Sequence, residues 1–143
     1  MQQLDREGRV LTVRDVMSTD LATVADLLAH LSPRSARQRF LSTSTRAGPE
    51  YVLALADPQR TLDAVLVEAG NRIVAVGSTH PLPDDTVEFA VVVDDANQGH
   101  GIGTLVMEEL VARAGRRGVR TMVGTVLGAN AQMFDVLGHL GGH

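Results

Sequence analysis

Apolar residues recur along the chain with two periods, which predict strands and helices in alternation. Alternating apolar and polar positions, or short β-branched runs, predict strands over 9–15, 62–68, 72–77, 86–93 and 121–127. Helical spacing predicts helices over 20–31, from Pro33 to Phe40 or Leu41, over 101–117 and over 130–140. Residues 51–55 fit either a strand or a helical turn, and we favour the helix.

The order of these elements predicts a mixed α/β domain. Gly70-Asn71 is typical of a hairpin turn, and His80 to Asp85 reads as a second turn, so three antiparallel strands precede a strand–helix–strand crossover. A chain of 143 residues suits one domain. We expect that domain over 9–143, preceded by a polar, flexible N-terminus over 1–8.

Composition excludes several classes of protein. The 13 basic residues are all arginine, and they face 17 acidic ones, so a net charge of −4 speaks against nucleic-acid binding. The absence of cysteine excludes disulfides, thiolate metal sites and acyl-cysteine intermediates. No apolar stretch approaches the roughly 18 residues that a spanning helix needs, and the N-terminus is polar. We therefore expect a cytoplasmic protein that binds neither membranes nor metal.

A glycine-rich loop at the start of the helix 101–117 is the strongest local motif. Gly99, Gly101 and Gly103 allow close backbone approach, and the helix N-terminus offers unpaired N–H groups, so the loop fits a phosphate or pyrophosphate. A Walker P-loop would need a lysine, and the glycine spacing does not fit a dinucleotide-binding fingerprint. What fits is Gln-x-x-Gly-x-Gly, beginning at Gln98; a plain glycine-rich turn is the alternative.

This loop resembles the pyrophosphate-binding motif of the GCN5-related N-acetyltransferases (GNAT), and the chain is most similar to the bacterial Pat-type protein-lysine acetyltransferases. Supporting segments are Leu31-Ser32-Pro33, Arg39-Phe40, 88–93 and 123–127 with Asn130 and Met133. The resemblance implies a mixed, mostly antiparallel sheet flanked by helices. The family continues with two further strands, so the C-terminal strand pair is expected to be missing. Strand 121–127 would then be an exposed edge, suited to a homodimer.

The resemblance also implies a site for acetyl-CoA and an amine acceptor, without a metal. The cosubstrate would lie where strands 86–93 and 121–127 splay apart, with a free N–H near Val91 polarising the thioester carbonyl. Glu88 would be the general base, and no side chain is assigned as the acid. The residues expected to bind acetyl-CoA are Val91, Val92, Val93, Gln98, Gly99, His100, Gly101, Ile102, Gly103, Thr104, Asn130 and Met133.

Several alternatives stay open on the sequence. Glu88 would be unremarkable if it lay on the solvated face of an alternating strand. The acidic residues between 84 and 95 suit a cationic acceptor, but they also fit a solvated loop. The expected function is acetyl transfer to a protein lysine. The alternatives are acetyl transfer to a small-molecule amine and a non-catalytic acyl-CoA-binding regulatory module.

Overall fold

Seven strands form one sheet whose spatial order follows the order of the sequence. The computed structural model describes residues 2–4, 9–29, 49–94, 101–127 and 134–139. The strands are β1 (Gln2–Leu4), β2 (Val10–Asp15), β3 (Asp63–Ala69), β4 (Arg72–Leu82), β5 (Thr86–Val93), β6 (Thr121–Leu127) and β7 (Phe134–His139). The helices are α1 (Leu21–Ala29), α2 (Pro49–Ala56) and α3 (Ile102–Arg116), and a short 3₁₀ turn, Ser18–Asp20, precedes α1.

The sheet is antiparallel except at one strand pair. β5 and β6 run parallel, joined by a crossover through α3, and every other neighbouring pair is antiparallel. A parallel pair requires such a crossover because a tight turn can only reverse the chain. The predicted mixed, mostly antiparallel α/β class is thereby confirmed.

The helices pack on opposite faces of the sheet. α3 covers one face, where Leu105, Val106 and Leu110 join the inward residues of β2 to β6 in one apolar cluster. α1 and α2 cover the other face, where Val24, Leu28 and Tyr51 contact Val76 and Val92. Successive residues of a strand point to opposite faces, so β4 and β5 each contribute to both clusters.

Most predicted elements match the described ones, but β4 is longer than expected. The sequence predicts a turn from His80 to Asp85, whereas β4 continues to Leu82 and the turn begins at Pro83. That part of the prediction is wrong because Pro81 is tolerated here: pairing with β3 stops at Thr79, so no ladder partner on that side needs its missing N–H. The extension brings His80 into the sheet opposite Glu88.

The C-terminal helix prediction is wrong over Phe134–His139, where the structure has β7. β7 pairs antiparallel with β6 from Thr121↔His139 to Val126↔Phe134. Strand pairing satisfies backbone groups that β6 would otherwise expose at an edge, and this outweighs the helical spacing of the apolar residues. β6 is therefore not an edge strand, and the expected homodimer along it has no open strand to use.

The predicted helix from Pro33 to Phe40 or Leu41 lies outside the described residues. β1 is an element that the sequence analysis does not predict, because it lies in the polar segment 1–8, and it pairs with β2 through Leu4↔Val10.

Candidate active site

Glu88 is a buried carboxylate in the middle of the sheet. Its side chain is only 2% exposed. It lies on β5 between Val87 and Phe89, both of which pack in the cluster under α3, so Glu88 faces the side covered by α1 and α2. This burial rules out the solvated-face alternative. A buried charge is costly unless the surroundings stabilise it, so such a residue is a strong candidate for chemistry.

A row of buried polar side chains lies beside Glu88 on the same face. His80 of β4 is the direct cross-strand partner of Glu88, and Ser78 is two residues earlier on β4. Tyr51 of α2 is fully buried above them, and its hydroxyl is hydrogen-bonded to the Ser78 hydroxyl. Ser78 Oγ in turn lies 2.8 Å from His80 Nε2. The sheet and α2 thus assemble a polar cluster in which Tyr51, Ser78 and His80 are linked by hydrogen bonds and Glu88 lies beside His80.

The other ring nitrogen of His80 is held by the turn that follows α2. Nδ1 lies 2.8 Å from the backbone carbonyl oxygen of Arg60 and 3.3 Å from the Thr61 hydroxyl. The Thr61 hydroxyl itself donates to the Ala54 carbonyl at 2.7 Å. Both imidazole nitrogens therefore have partners.

Burial dominates the ionisation of this cluster. It lowers the pKa of His80 below its ordinary value, against the opposing effects of the Arg60 carbonyl hydrogen bond and the Glu88 charge. It also raises the pKa of Tyr51, although the hydrogen bond to Ser78 acts in the opposite direction. At neutral pH the cluster consequently holds a neutral imidazole and a neutral phenol.

The N-terminus of α3 is built to approach an anion. Gly101 is the N-cap with φ of +81°, a backbone conformation that glycine adopts without strain. Among the residues that the structure describes, no side chain caps this helix end. The first turn, which includes Ile102, Gly103 and Thr104, contains no acidic residue. The first backbone amides and the helix dipole thus favour a negative group. Gln98, Gly99 and His100 lie outside the described residues, as do Asn130 and Met133.

β5 and β6 do not splay apart where the cosubstrate was expected to enter. The parallel ladder runs without interruption from Thr86↔Thr121 to Val92↔Leu127. Val91 lies opposite Val126 on one side and Gly77 on the other. The predicted gap beside Val91 is wrong for the structure described, because continuous pairing satisfies the backbone groups of both strands. Val93 follows the last of these pairs.

The acidic residues described between 84 and 94 do not form one patch, and Asp95 lies outside the described residues. Asp84 and Asp85 occupy the turn before β5, with φ of 63° and 56°, whereas Asp94 follows β5 at its far end and pairs with Arg72 at 3.4 Å. The two groups are separated by roughly 30 Å of extended chain. The clustering seen in the sequence is therefore not a single electrostatic site.

The arginines at the end of α3 bind acidic side chains of the protein itself. Arg117 Nε lies 2.6 Å from Asp63, and Arg113 contacts Asp15 at 2.6 Å and Glu109 at 2.8 Å. These ion pairs fasten the C-terminal end of the helix to β2 and β3. The end of α3 away from the glycine loop is therefore structural.

Sequence reasoning missed three members of the polar cluster, Tyr51, Ser78 and His80. It placed His80 in a turn and gave no role to Ser78 or Tyr51. The available signal was the alternation in β4: Val76, Ser78 and His80 share one face only if the strand runs through the predicted turn. Tyr51 had no sequence signal, because only tertiary packing brings α2 over β4.

The fold agrees with the comparisons to known proteins. Residues 28–141 match the profile of the acetyltransferase (GNAT) family. The chain is 28% identical over 147 residues to Acetyltransferase PA5475 of Pseudomonas aeruginosa, covering 99% of this chain and 78% of the relative. The match spans most of the chain, so the chain belongs to the GNAT acetyltransferase family and is an acetyl-CoA-dependent N-acetyltransferase.

Solved structures show the same fold. The GNAT domain of S. lividans PAT superposes with a TM-score of 0.72 at 22% identity, covering 89% of this chain and 78% of that domain. A GNAT family acetyltransferase from Brucella melitensis, solved in complex with acetyl-CoA, superposes with a TM-score of 0.64 at 21% identity, covering 82% and 75%. The GNAT-like fold predicted from the glycine motif is confirmed.

The described part of the chain contains neither a group of metal-binding side chains nor a membrane-spanning helix. Across 2–4, 9–29, 49–94, 101–127 and 134–139, no three histidine or acidic side chains are grouped as a metal ion would require. None of the helices in those ranges has the length and apolar character needed to cross a membrane.

Proposed function

We propose that the protein transfers an acetyl group from acetyl-CoA to the side-chain amine of a protein lysine, by direct attack, with Glu88 as general base. The observation that carries the proposal is the almost complete burial of Glu88 on the strand that leads to the glycine loop. The protein-lysine acceptor rests on the resemblance to the Pat-type branch.

Glu88 supplies what the amine needs before it can attack. A lysine amine has a pKa of about 10.4, so it arrives as ammonium near neutral pH. The Glu88 carboxylate accepts one proton from that ammonium, and the neutral nitrogen attacks the acetyl carbonyl. As the carbon–sulfur bond breaks and the CoA thiolate leaves, the nitrogen releases its second proton to the thiolate or to water. With no cysteine in the chain, the acetyl group passes directly to the nitrogen.

The N-terminus of α3 would hold the pyrophosphate of acetyl-CoA. We propose that the backbone amides from Gln98 to Thr104 bind it, and that Asn130 and Met133 flank the pantetheine arm. Because Val91 and Val92 are already paired with β6, an arm bonded to 91–93 must open the last pairs of the β5–β6 ladder. Binding should then change hydrogen exchange at Val126 and Leu127.

Replacing the proposed base tests its role. Glu88→Gln keeps the size of the side chain and removes its basicity, so turnover should fall by about 100- to 10,000-fold. Affinity for acetyl-CoA, measured by calorimetry, should be retained. Glu108→Gln makes the same chemical change on the exposed side of α3 and should leave both quantities unchanged. An equal loss of turnover and affinity in Glu88→Gln would refute the assignment.

The acceptor class needs a separate assay. Release of free CoA thiol is measured with lysine-containing peptides and, in parallel, with polyamines. Higher kcat/KM for peptides supports a protein acceptor, and higher kcat/KM for polyamines supports the small-molecule alternative. Acetyl-CoA binding without any turnover would instead favour the regulatory module.

A further inference from the structure

His80 is buried directly beside Glu88, the proposed base. The two residues are direct cross-strand partners of β4 and β5, so their Cβ atoms are roughly 5 Å apart on the same face. Both are buried: His80 is 6% exposed and Glu88 is 2% exposed. At such a distance in a buried site, the charge state of one side chain acts strongly on the other.

We propose that His80 is a positioning residue for Glu88: hydrogen bonds on both ring nitrogens hold it as the neutral Nδ1–H imidazole, so that the base faces an uncharged neighbour. This inference rests on the proposed role of Glu88. It assigns His80 no contact with the substrate, and it makes the protonation of His80 an inhibitory event.

The hydrogen-bond partners define the tautomer. A backbone carbonyl can only accept, so the 2.8 Å contact with Arg60 places the hydrogen on Nδ1. Nε2 is then an acceptor, and the Ser78 hydroxyl donates to it at 2.8 Å. The Ser78 oxygen accepts in turn from the Tyr51 hydroxyl. The chain of donors therefore runs in one direction, from Tyr51 through Ser78 to His80 and on to the Arg60 carbonyl.

Two charged groups of the described residues act on His80. Glu88 faces it from β5 and favours the imidazolium, whereas the Arg60 guanidinium, from the turn after α2, opposes it. Tyr51 faces it from α2 with its ring edge-on at a centroid distance of 6.1 Å, and Ser78 and Thr61 are its uncharged hydrogen-bond partners. Burial outweighs Glu88, and the ring remains neutral at neutral pH.

Acidification would reverse this arrangement. A proton on Nε2 turns that nitrogen from acceptor to donor, so the Ser78 hydroxyl must turn away and the donor chain from Tyr51 is broken. The new imidazolium stabilises the ionised form of Glu88, which makes the carboxylate a weaker base, and it repels an incoming ammonium. Activity in acid should accordingly depend on His80 in addition to Glu88.

The pH dependence of the reaction tests this. On the acid side, log kcat/KM should rise with pH more steeply in the wild type than in His80→Gln, with a difference in limiting slope of about one proton. Glutamine can accept from Ser78 and carries no charge at any pH. Because the acceptor amine contributes equally to both profiles, it cancels from the difference. An unchanged slope in His80→Gln overturns the inference.

A spectroscopic test does not depend on activity. In ¹⁵N-labelled protein, the imidazole nitrogens of His80, assigned by their absence in His80→Gln, should show the Nδ1–H tautomer at pH 7 and titrate below the ordinary pKa of about 6.5. Ser78→Ala removes the donor to Nε2 and should raise that pKa. A cationic ring or an Nε2–H tautomer at pH 7 overturns the inference.

The two proposals fail differently. Normal turnover in Glu88→Gln would reject the role of Glu88 as general base. It would not affect the tautomer of His80, which the spectra measure independently. If Glu88→Gln loses turnover but the wild type and His80→Gln have equal acid-side slopes of log kcat/KM, only the proposed role of His80 is rejected. If His80→Gln does not fold, the imidazole resonances of His80 are assigned as those that Ser78→Ala displaces. The tautomer of His80 in the wild type then decides whether the inference holds.

Discussion

The two faces of the sheet bury different kinds of side chain. Under α3, the core cluster consists of apolar residues from β2 to β6 and the helix itself. Under α1 and α2, a smaller apolar cluster surrounds the polar side chains of Tyr51, Ser78, His80 and Glu88. Adjacent residues of one strand, Glu88 and Phe89, belong to the two different environments.

The difference separates the stabilising part of the molecule from the reacting part. Apolar burial stabilises by roughly 25 cal/mol per Å², whereas a buried carboxylate and a buried imidazole add no comparable stability and require partners. A protein selected for stability alone would have no need of the polar cluster on the second face. We therefore expect changes under α3 to alter folding and changes in the polar cluster under α1 and α2 to alter chemistry.

The largest effect on stability should come from the α3 face. Leu110 is fully buried, so Leu110→Ala removes apolar contacts and leaves a cavity, lowering the free energy of unfolding by about 2–5 kcal/mol. Chemical denaturation measures this loss. Turnover per folded molecule, assayed well below the unfolding midpoint, should be unchanged, because Leu110 packs in the apolar cluster under α3, on the face of the sheet opposite the polar cluster.

Val111→Ala is the matched control for Leu110→Ala. It is the next residue of α3 but is 38% exposed, so its truncation should cost well under 1 kcal/mol. A similar loss of stability in both variants would show that burial under α3 does not set the effect. A loss of turnover in folded Leu110→Ala would break the separation between the faces.

A second, smaller effect should appear where α3 meets the cosubstrate. Gly101 and Gly118 stand at opposite ends of the helix, each with φ of +81°. An alanine at either position is strained by about 1–2 kcal/mol. Gly101→Ala should also weaken binding of acetyl-CoA by roughly tenfold, since relief of the strain displaces the first backbone amides. Calorimetry gives the affinity and denaturation gives the stability.

Gly118→Ala carries the same backbone strain away from the glycine loop. It should lose stability as Gly101→Ala does, and it should bind acetyl-CoA as the wild type does. Equal affinities in the two variants would remove the N-terminus of α3 from the binding site and leave Gly101 with a purely structural role.

The sequence predicts the α3 side of the molecule well, because local signals suffice there. The β-branched run of β5, the glycines before α3 and the regular spacing of its apolar residues each identify an element and its position. Glu88 was found for a different reason: a charged residue in an apolar strand is conspicuous, and the family resemblance gave it a role. These features are all encoded within short windows of the chain.

The opposite face could not be predicted in the same way. Pro81 and the two aspartates after it resembled a turn, although pairing of His80 with Glu88 keeps the chain extended to Leu82. Tyr51 meets Ser78 across 27 positions of sequence. Similarly, Phe134–His139 has helical spacing, yet pairing with β6 makes it a strand. In each case a tertiary contact outweighs a local preference.

The smallest predicted effect is a change in the ionisation of the Tyr51 phenol, which reports directly on the polar cluster under α1 and α2. Tyr51 is the only tyrosine in a chain without tryptophan, so near-ultraviolet absorbance of tyrosinate reports Tyr51 alone. Burial raises its pKa, and the phenol should therefore stay protonated above its ordinary pKa of about 10 while the protein is folded. An absorbance titration followed alongside circular dichroism measures both events.

Linkage gives the sign of the accompanying change in stability. The stabilisation tied to the raised pKa of Tyr51 is complete below the ordinary pKa and is lost as pH rises above it, because only the unfolded chain ionises readily there. Ionisation and alkaline unfolding should thus coincide. A tyrosinate signal near pH 10 from a chain that is still folded would mean that the Tyr51 hydroxyl is open to water. It would then no longer act as the buried donor to Ser78, and the polar cluster would be part of the surface.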